Sequence, residues 1–247
     1  MEISKNITAD DRLIVALDVN RFDALVATTE KLGDAVSFYK VGMELYYSAG
    51  NDAISYLHEK GKLIFLDLKL HDIPNTVGQA VAAVTHLGAN FITVHAQGGR
   101  AMMEAAVKSA KDTAETLDIP APKILAVTVL TALDDAAWEE TGGRLPIAGE
   151  VLRLAKLAKE SGVSGVVASP LEAKMLRDAL GDDFEIVTPG IRPAFAAVGD
   201  QKRIATPASA LASGASRLVI GRPITQAEDP QKALELILNE MKEIHHE

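Results

Sequence analysis

Eight short apolar runs, each followed by an amphipathic segment and together fitted into 247 residues, predict an α/β protein built as a single-domain (β/α)8 barrel. Continuous apolar runs, as opposed to alternating ones, suit strands of a parallel sheet buried on both faces with helices outside. Eight such units in a chain of this length match the size of a TIM barrel. No Gly-x-Gly-x-x-Gly turn follows the first run, where a dinucleotide-binding open sheet would carry one. No linker rich in Pro, Gly or Ser divides the chain, so residues 1–247 read as one domain with a short lead-in over 1–11.

The units follow in order. Leu13–Leu17 reads as the first strand, ending at Asp18, with a helix over Arg21–Leu32. Val36–Val41 is followed by a helix over Glu44–Glu59, and Leu63–Leu66 by one over Asn75–Leu87. Phe91–Val94 leads into Gly99–Leu117. Lys123–Val129 is separated by a polar stretch from a long helix at Ile147–Ser161. Gly165–Ala168 precedes Leu171–Leu180, and Glu185–Thr188 precedes Pro207–Ser213. Arg217–Leu218–Val219–Ile220 is the last strand. Pro230–Ile244 closes the chain, with Asp229 suited to the N-cap and Pro230 to the first helical position.

Composition narrows the function. Hydrophobic residues make up 48% and charged residues 24%, an ordinary globular balance, while aromatics at 4% predict an aliphatic core. A net charge of −9 argues against a nucleic-acid or anionic-membrane surface, though a local basic cluster can still dominate a pocket. Without cysteine there is no disulfide, thiolate nucleophile or cysteine metal site. No apolar run approaches membrane-spanning length and the first residues are polar, which makes the cytoplasm the expected location.

In such barrels the active site lies at the C-terminal strand ends. The polar residues falling there are Asp18, Lys40, Asp67, Lys69, Asp72, Thr131, Arg192 and Arg222. Alternation along a strand points Asp67 and Lys69 the same way, and Asp72 follows in a loop where Ile73–Pro74 favours extended backbone. With Lys40 from the neighbouring strand they form a Lys-Asp-Lys-Asp array. Such an array, closed in a pocket, shifts pKa values and holds charge where a carbanion develops. A salt-bridge network bracing the rim is the alternative reading. His71 and His95 have no second histidine at a metal-ligand spacing, and no metal site is expected.

The loops after strands seven and eight, Thr188-Pro189-Gly190-Ile191-Arg192-Pro193 and Gly221-Arg222-Pro223, suggest a phosphate site. Glycine admits close backbone approach, and arginine offers a two-pronged donor to phosphate oxygens. The connection from Ala194 to Arg203 between them suits a lid, from which Gln201 would reach inward.

Phe65-Leu66-Asp67-Leu68-Lys69-Leu70-His71-Asp72-Ile73-Pro74-Asn75-Thr76 closely resembles the signature of the orotidine 5′-phosphate decarboxylases, of bacterial type. The likeness extends to Ala16-Leu17-Asp18, Tyr39-Lys40-Val41-Gly42, Thr128-Val129-Leu130-Thr131, the two glycine-arginine turns and Gly199-Asp200-Gln201-Lys202-Arg203. It implies conversion of orotidine 5′-phosphate to uridine 5′-phosphate and carbon dioxide, the last step of pyrimidine nucleotide synthesis, with no metal or organic cofactor. By that resemblance Lys69 protonates C6, Asp67 lies against the departing carboxylate, and Lys40 and Asp72 complete the array. Asp18 and Lys40 would hold the ribose hydroxyls, with Ile73 and Thr76 among the substrate contacts. Thr131 would sit near the pyrimidine, and Gln201 would bridge base and phosphate. Gly221, Arg222 and Arg192 would take the phosphate. The resemblance also implies a homodimer in which Asp72 serves the partner's site. Two alternatives remain open at this level: a magnesium-dependent sugar-phosphate decarboxylase of the same superfamily, and a catalytically silent nucleotide-binding barrel.

Overall fold

A computed structural model describes residues 9–144, 146–195 and 204–242. Eight parallel strands close into a barrel in sequence order, the first pairing with the last. They are β1 (Leu13–Leu17), β2 (Phe38–Gly42), β3 (Leu63–Leu70), β4 (Phe91–His95), β5 (Lys123–Val127), β6 (Gly165–Val167), β7 (Glu185–Thr188) and β8 (Arg217–Ile220). The helices are α1 (Phe22–Leu32), α2 (Met43–Ala49), α3 (Asn51–Glu59), α4 (Pro74–His86), α5 (Arg100–Leu117), α6 (Asp135–Glu140), α7 (Ile147–Glu160), α8 (Ala173–Leu180), α9 (Pro207–Ala212), α10 (Arg222–Thr225) and α11 (Pro230–Lys242). The expected barrel is the observed one, and its order puts Asp18, Lys40 and Asp67 on adjacent strand ends.

Three local differences have physical causes. The single helix expected over 44–59 is broken at Gly50, whose φ of 57° and ψ of −141° lie outside helical space and suit a residue without a Cβ. The polar stretch after β5 contains α6, nucleated by Asp134, whose carboxylate accepts the Ala137 N–H at 3.0 Å. Strand β3 runs four residues past its apolar run, through the charged motif itself. At the C-terminal end, Asp229 caps α11 as expected, accepting the Lys232 N–H at 3.1 Å.

The core has two layers. Between sheet and helices it is largely aliphatic, as composition predicts. Inside the barrel it is not: Phe38, Phe65 and Phe91 meet edge to face, with centroids 5.1 and 5.9 Å apart around Phe91. They are joined by Ile14, Ala16, Leu125, Val187 and Val219. A closed barrel has a wide, water-free centre, and ring-shaped side chains fill it where small aliphatic ones leave voids. Below the rings, Glu185 pairs with Lys123 at 2.5 Å and Arg217 at 3.5 Å, and the Arg217 guanidinium lies over Phe38 and Phe91. That ion cluster closes the N-terminal end. The opposite end stays open.

Candidate active site

Inward-facing residues repeat every second position, so two residues beyond the aromatic layer the strands present Lys40, Asp67, Thr93 and Val127. These begin the C-terminal mouth. Lys40, Asp67, Lys69, Val127, Val129, Leu130, Thr131 and Pro189 line a cavity of about 230 Å³ floored by Phe65, Val167 and Val219. A charged wall on β2 and β3 thus faces an apolar wall from β5, β6 and β8.

The charges alternate along one chain of contacts. Lys40 Nζ lies 3.2 Å from Asp18 Oδ1 and 3.8 Å from Asp67 Oδ2, and Lys69 Nζ donates to the same Asp67 oxygen at 2.9 Å. Asp67 is buried, and burial alone would raise its pKa. The adjacent Lys40 and Lys69 ammonium groups, with hydrogen bonds from Lys69 and Thr93, outweigh that and hold it below the ordinary carboxylate value. Gly42 makes room for this arrangement: a Cβ there would stand 2.8 Å from Lys40 Nζ.

The regular alternation expected between Asp67 and Lys69 does not hold. Leu66 pairs with Ile92 but Leu70 with Val94, so four steps on β3 oppose two on β4. Lys69 takes a left-handed φ of 51°, and its side chain still reaches Asp67 because the bulge turns it inward. Thr93, which the sequence reading passed over, sits opposite the bulge and binds both residues: its hydroxyl accepts the Lys69 N–H at 2.8 Å and donates to Asp67 Oδ1 at 3.1 Å. Its only sequence signal is a polar residue inside an apolar strand run.

His95, given no role beyond the metal question by the sequence, stacks on His71 with centroids 5.2 Å apart, and its Nδ1 is buried without a hydrogen-bond partner. Burial, then His71 and Lys69, push its pKa down from the usual histidine value, against the opposing pull of Asp67. Among the described residues no group of three or more His, Cys, Asp or Glu side chains is placed to hold a metal ion.

The remaining expected site residues are distributed unevenly. Asp18 and Gly221 meet where β1 and β8 close the barrel; a Cβ at Gly221 would stand 3.2 Å from Asp18 Oδ2. Arg222 opens α10 just beyond, at an exposed position. Arg192 does not line the cavity. It lines a separate groove with Pro170, Leu171, Thr206 and Ser209, and its guanidinium donates to the Ile191 carbonyl at 2.9 Å. Asp72, Ile73 and Thr76 are exposed and do not line the cavity of their own chain, with the Asp72 carboxylate accepting the Ile73 N–H at 2.6 Å. Gln201 and its neighbours 196–203 lie outside the described residues.

Comparison with known proteins fits this geometry. Residues 11–237 match the model of the orotidine 5′-phosphate decarboxylase / HUMPS family. The chain is 49% identical over 233 residues to an orotidine 5′-phosphate decarboxylase of Trichlorobacter lovleyi, covering 94% of this chain and 96% of that protein. To one from Lactobacillus acidophilus it is 51% identical over 236 residues, covering 94% and 99%. A crystal structure of orotidine 5′-phosphate decarboxylase from Lactobacillus acidophilus superposes with a TM-score of 0.82 at 47% identity, over 93% of this chain and 98% of that one. With identity near one half over nearly the whole barrel, the chain belongs to the orotidine 5′-phosphate decarboxylase / HUMPS family.

Proposed function

We propose that the protein decarboxylates orotidine 5′-phosphate to uridine 5′-phosphate, with Lys69 as the proton donor and no metal or organic cofactor. The observation that carries this reading is the Asp18–Lys40–Asp67–Lys69 chain of contacts at the mouth of a cavity whose other wall is apolar. In the reaction the bond from C6 to the carboxylate breaks, carbon dioxide leaves, and the electron pair stays on C6. No neighbouring group of the pyrimidine delocalises that in-plane pair. The Lys69 ammonium, fixed at 2.9 Å from Asp67, stabilises it and transfers its proton to C6, after which solvent reprotonates the amine. The low pKa of Asp67 keeps a negative charge beside the Lys69 ammonium, against which the lysine is held in place.

The rest of the assignment follows the substrate outward. Asp18 and Lys40 hold the ribose hydroxyls, Thr131 lies beside the base, Gln201 bridges base and phosphate, and the Gly221 backbone, Arg222 and Arg192 take the phosphate. Phosphate binding remote from C6 supplies energy that lowers the barrier at C6. The active form is a homodimer in which Asp72, Ile73 and Thr76 enter the partner's cavity. Its support is their placement on the surface of a single chain: Ile73 is 66% exposed, and Tyr47 of α2, in the preceding unit, is 77% exposed. Large apolar side chains left in water, one of them directly after Asp72 in the sequence, suit burial against a second copy. The same proposal places the enzyme in the cytoplasm, where nucleotide synthesis supplies the substrate; among the described residues no helix is long and apolar enough to cross a membrane.

An absorbance assay for loss of orotidine 5′-phosphate tests the reading. Turnover is expected to persist in excess chelator, and Lys69→Ala is expected to lose at least about 10³-fold in kcat with its fold intact. Chelator-sensitive turnover, or substantial activity in Lys69→Ala, would overturn it.

A further inference from the structure

The geometry points to Thr93 as the residue that positions the catalytic lysine, through one hydroxyl that ties the Lys69 backbone to the Asp67 carboxylate. This inference rests on the roles proposed above for Lys69 and Asp67. Thr93 is fully buried on β4 and faces the bulge of β3. Across that bulge the ladder is interrupted: between the Leu66–Ile92 and Leu70–Val94 pairs, three residues of β3 oppose the single residue Thr93. The Lys69 N–H falls within this interruption, where it donates to the Thr93 hydroxyl at 2.8 Å.

The polarity of this bond is forced. An amide N–H can only donate, so the hydroxyl oxygen accepts and its single proton points elsewhere. It points to Asp67 Oδ1, 3.1 Å away. The other carboxylate oxygen of Asp67 takes the Lys69 ammonium at 2.9 Å. Backbone, hydroxyl, carboxylate and ammonium therefore close a ring that begins and ends on Lys69. Among the described residues, Lys69 and Asp118 are the non-glycine positions with positive φ. Asp118 ends α5, where left-handed backbone is ordinary. Lys69 ends no helix, and the Thr93 bond is what holds its backbone in that conformation. Thr93 touches no reacting atom. Its effect passes through where the ammonium stands, and a misplacement of about 1 Å costs on the order of 100-fold in rate.

The test compares variants that keep shape and change only the hydroxyl. Thr93→Val is nearly isosteric but can neither donate nor accept; Thr93→Ser keeps the hydroxyl and loses a methyl group. Thr93→Val is expected to lower kcat on the order of 100-fold, with KM for orotidine 5′-phosphate and affinity for uridine 5′-phosphate changed less than about threefold. Thr93→Ser is expected to recover most of the rate. If Thr93→Val does not fold, the ratio of Thr93→Ser to Thr93→Ala gives the same comparison. A Thr93→Val enzyme with kcat within about threefold of the parent, or Ser and Ala variants impaired equally, would overturn the inference. Lys69→Ala measured alongside separates the two levels. An inactive Lys69→Ala beside an unimpaired Thr93→Val removes only the role of Thr93, whereas an active Lys69→Ala removes the reading on which it rests.

Discussion

A carboxylate buried as deeply as Asp67 stays ionised only because of its neighbours. Two ammonium groups and a hydroxyl face it, and removing it would leave Lys40 and Lys69 close together with less compensation. Its folded-state pKa is lowered below the unfolded value of 3.8, so its stabilising contribution is present above that value and is lost as pH falls through the folded pKa. Urea unfolding of the parent and Asp67→Asn across pH 3 to 7 should therefore show a stability gap that is widest near neutrality and narrows below about pH 4. A gap independent of pH would mean that the carboxylate carries no net ion pairing. Lys69 adds a second cost, since left-handed backbone in a non-glycine residue costs about 1–2 kcal/mol. Strain of this kind persists where the surroundings over-determine it, and here the surrounding groups are those of the site.

Among the elements, β3 departs furthest from regularity, and the site depends on that departure. A regular strand would carry Lys69 past Asp67 by one full pleat repeat; the bulge shortens that path and turns the ammonium back. Elsewhere the elements are held by close approach. Strands β6 and β7 meet at Gly165 and Glu185, where a Cβ on Gly165 would lie 2.4 Å from the Glu185 carbonyl oxygen. Gly165→Ala is accordingly expected to destabilise the barrel by about 1–3 kcal/mol, read as a lower urea midpoint. Because that pair lies at the N-terminal end of the strands, kcat of the folded fraction should be unchanged. A loss of kcat without a loss of stability would contradict this account of the packing.

At the scale of the molecule, a single chain builds most of a site but turns part of its own motif outward. Asp67 and Lys69 face inward while Asp72, Ile73 and Thr76, only a few residues on, face solvent. The shared site proposed above would account for one loop doing both, and it can be tested by mixing. If the proposed dimer forms, the Lys69→Ala and Asp72→Ala proteins, each inactive alone, should regain activity when subunits exchange. Random reassortment of equal amounts makes about half the dimers hybrid, each with one intact site, so recovery should approach about a quarter of the parent activity. No recovery after demonstrated exchange would show that Asp72 acts within its own chain or not at all.

Hydrophobic periodicity by itself determined the barrel, because a strand buried on both faces must be continuously apolar and a helix outside it must be amphipathic. Asp18, Lys40, Asp67 and Lys69 were legible for a related reason: a charge at the end of an apolar run has few places to go except the strand's C-terminal mouth. Only tertiary structure could decide the rest. The bulge at Lys69 and the role of Thr93 depend on register between β3 and β4, a contact across 26 positions from Asp67 that no local pattern encodes. The aromatic barrel centre depended on the same thing, since sparse phenylalanines from three strands become a layer only when closure stacks them. The outward turn of Asp72, invisible in a motif that reads as one unit, follows from where β3 ends and α4 begins.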